Sequence, residues 1–490
     1  MLPRPTAPAS MLDRRHFLAD AGTGLGSIAL AWLLNQELGQ SLVGNHSNRN
    51  RADAAELQPP ARPAARARRV IQIFSPGGVS HVDTFQYRPE LEKFDGMPLT
   101  GKGEIDTFFG RPGVLRKSFY KFQQHGQCGA WMSELLPHLA GCVDDVTFLH
   151  GMVAKSPAHM PACYQMQSGF TRAGFPCLGA WLSYGLGRVS ENLPTFVVLP
   201  DPRGLVNGGS ANWTNGFLPA EHQGTLFNMT AADPVANLAT PGSIDPNARQ
   251  AGMRLVRELN AEYAGQDPRD TALSARLKSY ELAARMQASI PEALNFNDET
   301  AETQRLYGLD HPKIGPSARN FLLARRLIER GVRFVQVYNG GALGSPRINW
   351  DGHENLRENH DNQGLLLDQP CAALLKDLKQ RGLLEDTLVI WATEFGRTPF
   401  TQGESGLGRD HHQHCFTCWL AGAGVKRGFS WGASDELGYR PGENPTSIYD
   451  FHATILHLLG IDHEKLTFLH NGLQRRLTDV HGRVVREILG

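Results

Sequence analysis

Beyond Val70 the chain alternates short, apolar, β-rich runs with segments of helical period, and few folds accommodate that pattern. Strands that are apolar on both faces need cover on both faces, so the alternation predicts an α/β fold with a mostly parallel central sheet and helices on either side. The expected strands are Val70 to Phe74, Val146 to His150, Thr195 to Leu199, Val332 to Tyr338, Thr387 to Trp391 and Phe416 to Leu420. Between them, ARNFLLARRLIERG sets Phe321, Leu322, Ala324, Leu327 and Ile328 on one helical face and stops at Gly331. CAALLKDLKQRG stops likewise at Gly382, and TSIYDFHATILHLLG reads as a helix from an N-cap at Thr446 to Gly460. From about 245 to 295 the sequence is charged, alanine-rich and without a strand candidate, which predicts a helical insertion. No repeat of fixed period suggests a solenoid or propeller.

In an open α/β sheet, ligands gather at the carboxyl ends of the strands. Three such ends carry acids and imidazoles here. VIQIFSPGGVSHVD brings His81 and Asp83, VRFVQVYNGGALGSPRINWDGHE brings Asp351 and His353, and WATEFGRTP with GRDHHQH brings Glu394, Asp410 and His411. A carboxylate placed directly after an apolar strand, as Glu394 is, needs a partner or a cation. That partner is either a metal ion or Arg397. Arg397 and Arg409 suit two roles equally, clamping an anion or tying a loop to a carboxylate. His412 and His414 exceed what one site needs, and His138, His452 and His457 fit packing or solvent on helix faces.

Composition bounds the rest. A chain of 490 residues with 41% hydrophobic and 20% charged residues can bury a large core. Lys+Arg and Asp+Glu balance at 49 each, so no global field favours nucleic acid, and an anionic substrate must be drawn in locally. Near the start, Asp13-Arg14-Arg15-His16-Phe17-Leu18 precedes a weakly apolar run to Leu34, resembling a twin-arginine export signal over residues 1–38. The polar, Ala/Pro-rich tract at 39–69 reads as linker, and the folded domain is expected from 70 to 490. This route implies the twin-arginine export machinery as partner and a periplasmic, envelope-anchored or secreted location. The seven cysteines form no regular framework; Cys415-x-x-Cys418 lacks a second pair and reads as core.

GGVSHVDTFQ, GAWMSELLPHLA, FLLARRLIERGVRFVQV, WDGHENLRENH, LLKDLKQRGLLEDTLVIWATEFGRTP, GRDHHQH and LTDVHG together resemble the domain of unknown function 1501 family, grouped with the alkaline phosphatase and sulfatase superfamily. The resemblance spans nearly the whole chain after the export signal. It implies an alkaline phosphatase/sulfatase-like fold and a hydrolase site with one or two divalent ions, among Zn, Mn, Fe, Mg and Ca, acting on a phosphate or sulfate ester, including one carried on a polysaccharide. Paired cations about 4 Å apart would polarise the ester oxygen and stabilise the leaving group. By this resemblance the metal set is Asp83, Asp351, His353, Glu394, Asp410 and His411, with His81 either a further ligand or the residue that orients Asp83. Two departures stand out: the middle pair is D-x-H, and Glu394 is followed by Phe395 rather than His.

The superfamily nucleophile motif, C/S-x-P-x-R, is absent. In HMPACYQMQSG, His159, Pro161, Ser168 and Gly169 fall at the matching spacing, so His159 stands where a hydroxyl or thiol would. His159 is therefore expected as ligand, acid/base or nucleophile, and Ser156 as a nearby hydroxyl. A non-catalytic ligand-binding envelope protein on the same fold is the competing expectation.

Overall fold

Val70 to Phe74 are buried on both sides, as a strand becomes only in the middle of a sheet sandwiched by helices. In the computed structural model, which describes residues 64–235, 289–342, 348–402 and 406–490 and scattered positions between 245 and 286, all six expected strands join one sheet. The export segment, the tract at 39–63 and most of the insertion at 245–295 lie outside the described residues. In the first half of the chain the elements used below are β1 (Arg69–Phe74), β2 (Pro112–Leu115), β3 (Val146–Val153), α1 (His159–Ser168), α2 (Leu178–Leu186), β4 (Phe196–Leu199) and β5 (Thr225–Leu226). The second half adds α3 (Gly315–Glu329), β6 (Phe334–Tyr338), α4 (Leu356–Gln380), β7 (Thr387–Ala392), β8 (Gly396–Gln402), β9 (Arg409–His412), β10 (Phe416–Ala421), β11 (Phe429–Trp431), β12 (Thr446–Ser447) and α5 (Ile448–Leu458).

The nine-stranded sheet runs β11-β3-β10-β7-β1-β6-β4-β5, with β12 also paired to β3. At its centre β1 lies parallel to both neighbours, Val70 aligned with Phe334 of β6 and Leu388 of β7. Only β10 is reversed, antiparallel to β7 on one side and β3 on the other, so the sheet is mostly parallel. Alternation along β1 splits the core. Ile71 and Ile73 pack with Phe321, Leu327, Leu374 and Leu378 of α3 and α4. Val70 and Phe74 pack with Met166, Trp181 and Ile455 of α1, α2 and α5. Each such side chain contributes about 1.5–3 kcal/mol by leaving water.

Helix ends follow the sequence closely, with one correction. Gly331 and Gly382 lie just past α3 and α4 at φ 91° and 69°, a conformation that ends helices cheaply only for glycine. The N-cap of α5 is Ser447 rather than Thr446, because Ser447 and Asp450 form a reciprocal capping box. Helix α4 is longer than its apolar period indicates: Asn355 caps a polar first half. Cys415 and Cys418 are buried and free, as are all the other cysteines but exposed Cys128, which is also unpaired. Among the described residues no helix is long and apolar enough to cross a membrane.

Two strands escape the apolar alternation altogether. GRTPFTQ and RDHH pair as the antiparallel strands β8 and β9 of a separate three-stranded sheet completed by β2. Their register sets Arg397 opposite His411 above the ends of β1, β6 and β7.

Candidate metal centre

Asp351, His353, His159 and His411 converge from three different parts of the fold. Asp351 and His353 follow β6 on a loop fixed by Trp350, whose Nε1 donates to Asn339 Oδ1 at 2.9 Å and whose main-chain N–H donates to Pro76 O at 2.9 Å. Gly77 packs so closely beneath that a Cβ there would meet the Asp351 and Trp350 nitrogens at 2.5 Å, which only glycine avoids. His159 opens α1, which follows β3, and His411 comes from β9. One ligand atom from each of the four lies within 4.8 Å of all the others.

Asp351 Oδ1 is the focus. His353 Nε2 stands 2.8 Å from it, His159 Nε2 3.4 Å and His411 Nε2 3.5 Å, and Arg397 Nη2 donates to it at 2.6 Å. His353 Nε2 and His411 Nε2 are themselves 2.8 Å apart.

The far side of each ring fixes its proton. His411 Nδ1 lies 2.7 Å from the Pro157 carbonyl, which can only accept, so Nδ1 carries the hydrogen. His353 Nδ1 faces Gln402 Oε1, and His159 Nδ1 faces Glu394 Oε1 at 2.7 Å, with the same consequence. Each ring, when neutral, therefore turns its Nε2 lone pair toward one carboxylate oxygen. His159 Nε2 is buried without an aligned hydrogen bond. Lone pairs crowded this closely repel unless a cation lies between them, and ring N–H groups held by carbonyls and carboxylates are the usual backing of metal-ligating histidines. The donor set thus fits one divalent ion of the zinc, manganese or iron kind.

Protonation follows the same geometry. Burial pushes His411 down to about 2, with the Asp351 hydrogen bond opposing and the Arg397 charge assisting. Burial alone would raise Asp351; the Arg397 charge first, and the imidazoles around it, outweigh burial and hold this carboxyl far below the usual range. Burial would lower His159, yet the Asp351 and Glu394 carboxylates beside it raise it above the ordinary imidazole value.

Arg397 and Glu394 surround the cluster rather than face solvent. Arg397 is fully buried and donates to Gly78 O at 2.9 Å, to Arg409 O at 3.0 Å and to Gly77 O besides Asp351. Glu394, also fully buried, accepts from Gly77 N at 2.8 Å and from Thr393 Oγ1 at 3.3 Å as well as from His159. The expected Glu394–Arg397 pair does not form; the sheet end inserts His159 beside the acid and Asp351 beside the guanidinium.

The structure does not bring His81, Asp83, Asp410, Arg409 or Ser156 into the cluster. Asp83 pairs with Arg409 Nε at 2.7 Å and takes further hydrogen bonds from Ser80, Ser118 and the Phe119 N–H, so its oxygens are spent. Arg409 donates its remaining hydrogens to the carbonyls of Thr398, Arg116 and Lys117, which ties a loop rather than clamps an anion. His81 is buried with Nε2 on Gly438 O at 2.9 Å, and burial lowers it to about 4. Asp410 accepts only main-chain N–H groups, those of Phe108, Phe109 and His411. Ser156 Oγ accepts from Ala158 N at 3.2 Å, closing the turn before α1.

Sequence reasoning missed the groups that back the imidazoles, Gln402 and the Pro157 carbonyl, and an aromatic wall. Phe395 packs on His159 and His411, Phe108 stacks on His411 at 4.7 Å between ring centres, and Phe109 meets His353 edge-on at 5.3 Å. The doubled phenylalanine of TFFG, set in a glycine-rich loop, was the available signal.

Fold and site together define an α/β protein with, among the described residues, one carboxylate–imidazole cluster at the carboxyl ends of a mostly parallel sheet. Residues 67–489 match the model of the protein of unknown function family DUF1501, and the chain belongs to that family. No curated protein matches the sequence significantly. Among solved structures, the chain is similar to the phosphonate monoester hydrolase of Silicibacter pomeroyi, at 14% identity and a TM-score of 0.32 over 72% of this chain and 71% of that one. It is also similar to a protein of the alkaline phosphatase superfamily from Vibrio parahaemolyticus, at 12% identity and 0.33 over 82% and 69%. The C-terminal periplasmic domain of EcEptC from Escherichia coli, solved in complex with Zn, matches at 10% and 0.33 over 83% and 86%. At scores this low the fold and the chemistry rest on the strand order and site geometry above.

Proposed function

We propose that this chain is a metal-dependent hydrolase of phosphate or sulfate esters, including esters on polysaccharides, exported by the twin-arginine route. The observation that carries the reading is the convergence of three imidazole Nε2 atoms on Asp351 Oδ1. Asp351, His353 and His411 would hold one ion, leaving a position open toward substrate. Bound there, a divalent ion would polarise the ester oxygen and offset its charge.

The chain's own residues supply the remainder. Arg397 neutralises Asp351 and fixes its oxygen in place without touching substrate. Glu394 orients His159 and stabilises its protonated form, so His159 takes a proton from the attacking water or gives one to the leaving oxygen. Phe108, Phe109 and Phe395 keep bulk water from the ring faces. The second ion of the superfamily pattern has no comparable donor set among the described residues.

A second role for His159, as a fourth ligand, is favoured by its membership of the same cluster. Metal analysis and turnover of an aryl phosphate and an aryl sulfate by His159→Ala decide between them. As acid/base, His159→Ala keeps its ion and loses about 10²–10⁴-fold in rate; as ligand, it loses the ion too. Metal-loaded wild type inert toward both esters would overturn the hydrolase reading in favour of a ligand-binding envelope protein.

A further inference from the structure

Asp410 is 1% exposed and, among the described residues, pairs with no cation. It spends Oδ2 on two consecutive main-chain donors, Phe108 N at 2.7 Å and Phe109 N at 3.0 Å, and Oδ1 on His411 N at 2.8 Å. A buried carboxylate satisfied only by N–H groups is a costly way to hold a loop, and what it holds is the Phe108–Phe109 pair. The loop is tied again at its base, where Asp106 N donates to Tyr439 Oη at 3.0 Å and His414 meets Asp106 at 2.6 Å.

The two rings lean on the imidazoles of the cluster yet remain 38% and 47% exposed. The apolar surface continues around the rim: Met160, next to His159, and Leu407, bridged to Asn355, are 47% and 50% exposed. On another side of the cluster a cleft of about 230 Å³ reaches Asp351 between Glu354, Asn355, Glu358 and Asn362. Exposed aromatic faces against the imidazoles of the cluster suit a substrate ring that lies on them.

We propose that Phe108 and Phe109 form the wall on which a ring of the substrate lies while its ester group reaches the cluster, and that Asp410 is the residue that positions them. This rests on the hydrolytic reading of the cluster and narrows it to esters whose alcohol bears an aromatic or pyranose ring. An aromatic ring offers a phenyl group its π face, and a pyranose offers a face of C–H bonds.

Calorimetric binding to the full-length, metal-loaded protein tests it with two matched pairs of probes, phenylphosphonate against butylphosphonate and glucose 6-phosphate against sorbitol 6-phosphate. The expected result is a preference of about tenfold for the ring in at least one pair, each aromatic contact being worth a few-fold. The pair that shows it identifies the source of the ring. Phe108→Ala/Phe109→Ala and Asp410→Asn should each erase the preference while retaining metal content and open-chain binding, which a general folding defect would not do. Equal binding of ring and open-chain probes overturns the wall but leaves the hydrolase reading standing. Failure of all four probes to bind the metal-loaded wild type overturns both.

Discussion

Two buried aspartate–arginine pairs, Asp83–Arg409 and Asp351–Arg397, look alike in composition and separation, at 2.7 and 2.6 Å, and differ in what surrounds them. Around Asp83 every acceptor meets a donor: two serine hydroxyls, one main-chain N–H and the guanidinium, whose other hydrogens reach carbonyls. Around Asp351 one oxygen is approached by a guanidinium and by three ring nitrogens, each a ligand atom whenever its ring is neutral. A closed pair holds a fold together. Three ring nitrogens crowded on one carboxylate oxygen, by contrast, form the arrangement that a bound cation would satisfy, and that crowding marks the site.

The comparison can be broken most severely at Asp83. Asp83→Ala leaves Arg409 buried and uncompensated and should cost about 3–5 kcal/mol in denaturant unfolding, whereas Asp83→Leu with Arg409→Met should recover part of that loss. An Asp83→Ala protein as stable as wild type would remove the structural role. At the other pair the large effect falls on ion binding. Chelation should lower the unfolding free energy of wild type by about 2.7 kcal/mol relative to protein holding the ion at one hundred times Kd, and leave Asp351→Asn unmoved. His353→Leu should abolish ion uptake without destabilising the metal-free protein, since it removes one of the crowded lone pairs. A chelator effect that persists in Asp351→Asn would place the ion elsewhere.

Acid offers a graded test. His81 and His452 are lowered to about 4, His150 and His360 to about 3 and His411 to about 2, in each case first by burial. Below the ordinary 6.5 the unfolded chain binds these protons and the folded chain does not, so stability falls as pH drops through this range. Each group contributes about 1.4 kcal/mol per pH unit while its two forms differ. Asp83 and Asp351, held below their ordinary value of 3.8, add a further loss once the pH falls beneath it. Metal-free protein followed by circular dichroism should therefore begin to unfold well above pH 4; stability that stays flat to pH 4 would contradict the buried neutral imidazoles. The smallest expected effect is at Cys415 and Cys418, where replacement by alanine should leave ion content unchanged, because both are packed in the core and apart from the cluster.

The strands and the three strand ends were legible because burial on both faces writes mostly apolar, β-rich runs into β1, β6, β7 and β10. Strand ends alone do not separate His81/Asp83 from Asp351/His353. The discriminating signal was local: Ser80 stands three residues before Asp83, and their side chains meet at 2.5 Å across a single helical turn. Strands β8 and β9 stayed hidden since GRTPFTQ and RDHH are polar and stabilised by register with each other and by buried arginines rather than by alternation. The roles of Arg397 and Arg409 depend on which carboxylate the fold brings near, a long-range fact that spacing does not contain.

The most direct test of the account is the metal content, by inductively coupled plasma mass spectrometry, of untagged full-length protein, Asp351→Ala/His353→Ala and Asp83→Asn. The account predicts one divalent ion per chain in wild type, none in the double variant and one in whatever fraction of Asp83→Asn folds. A folded wild type that takes up no ion, or an ion retained in the double variant, would contradict it.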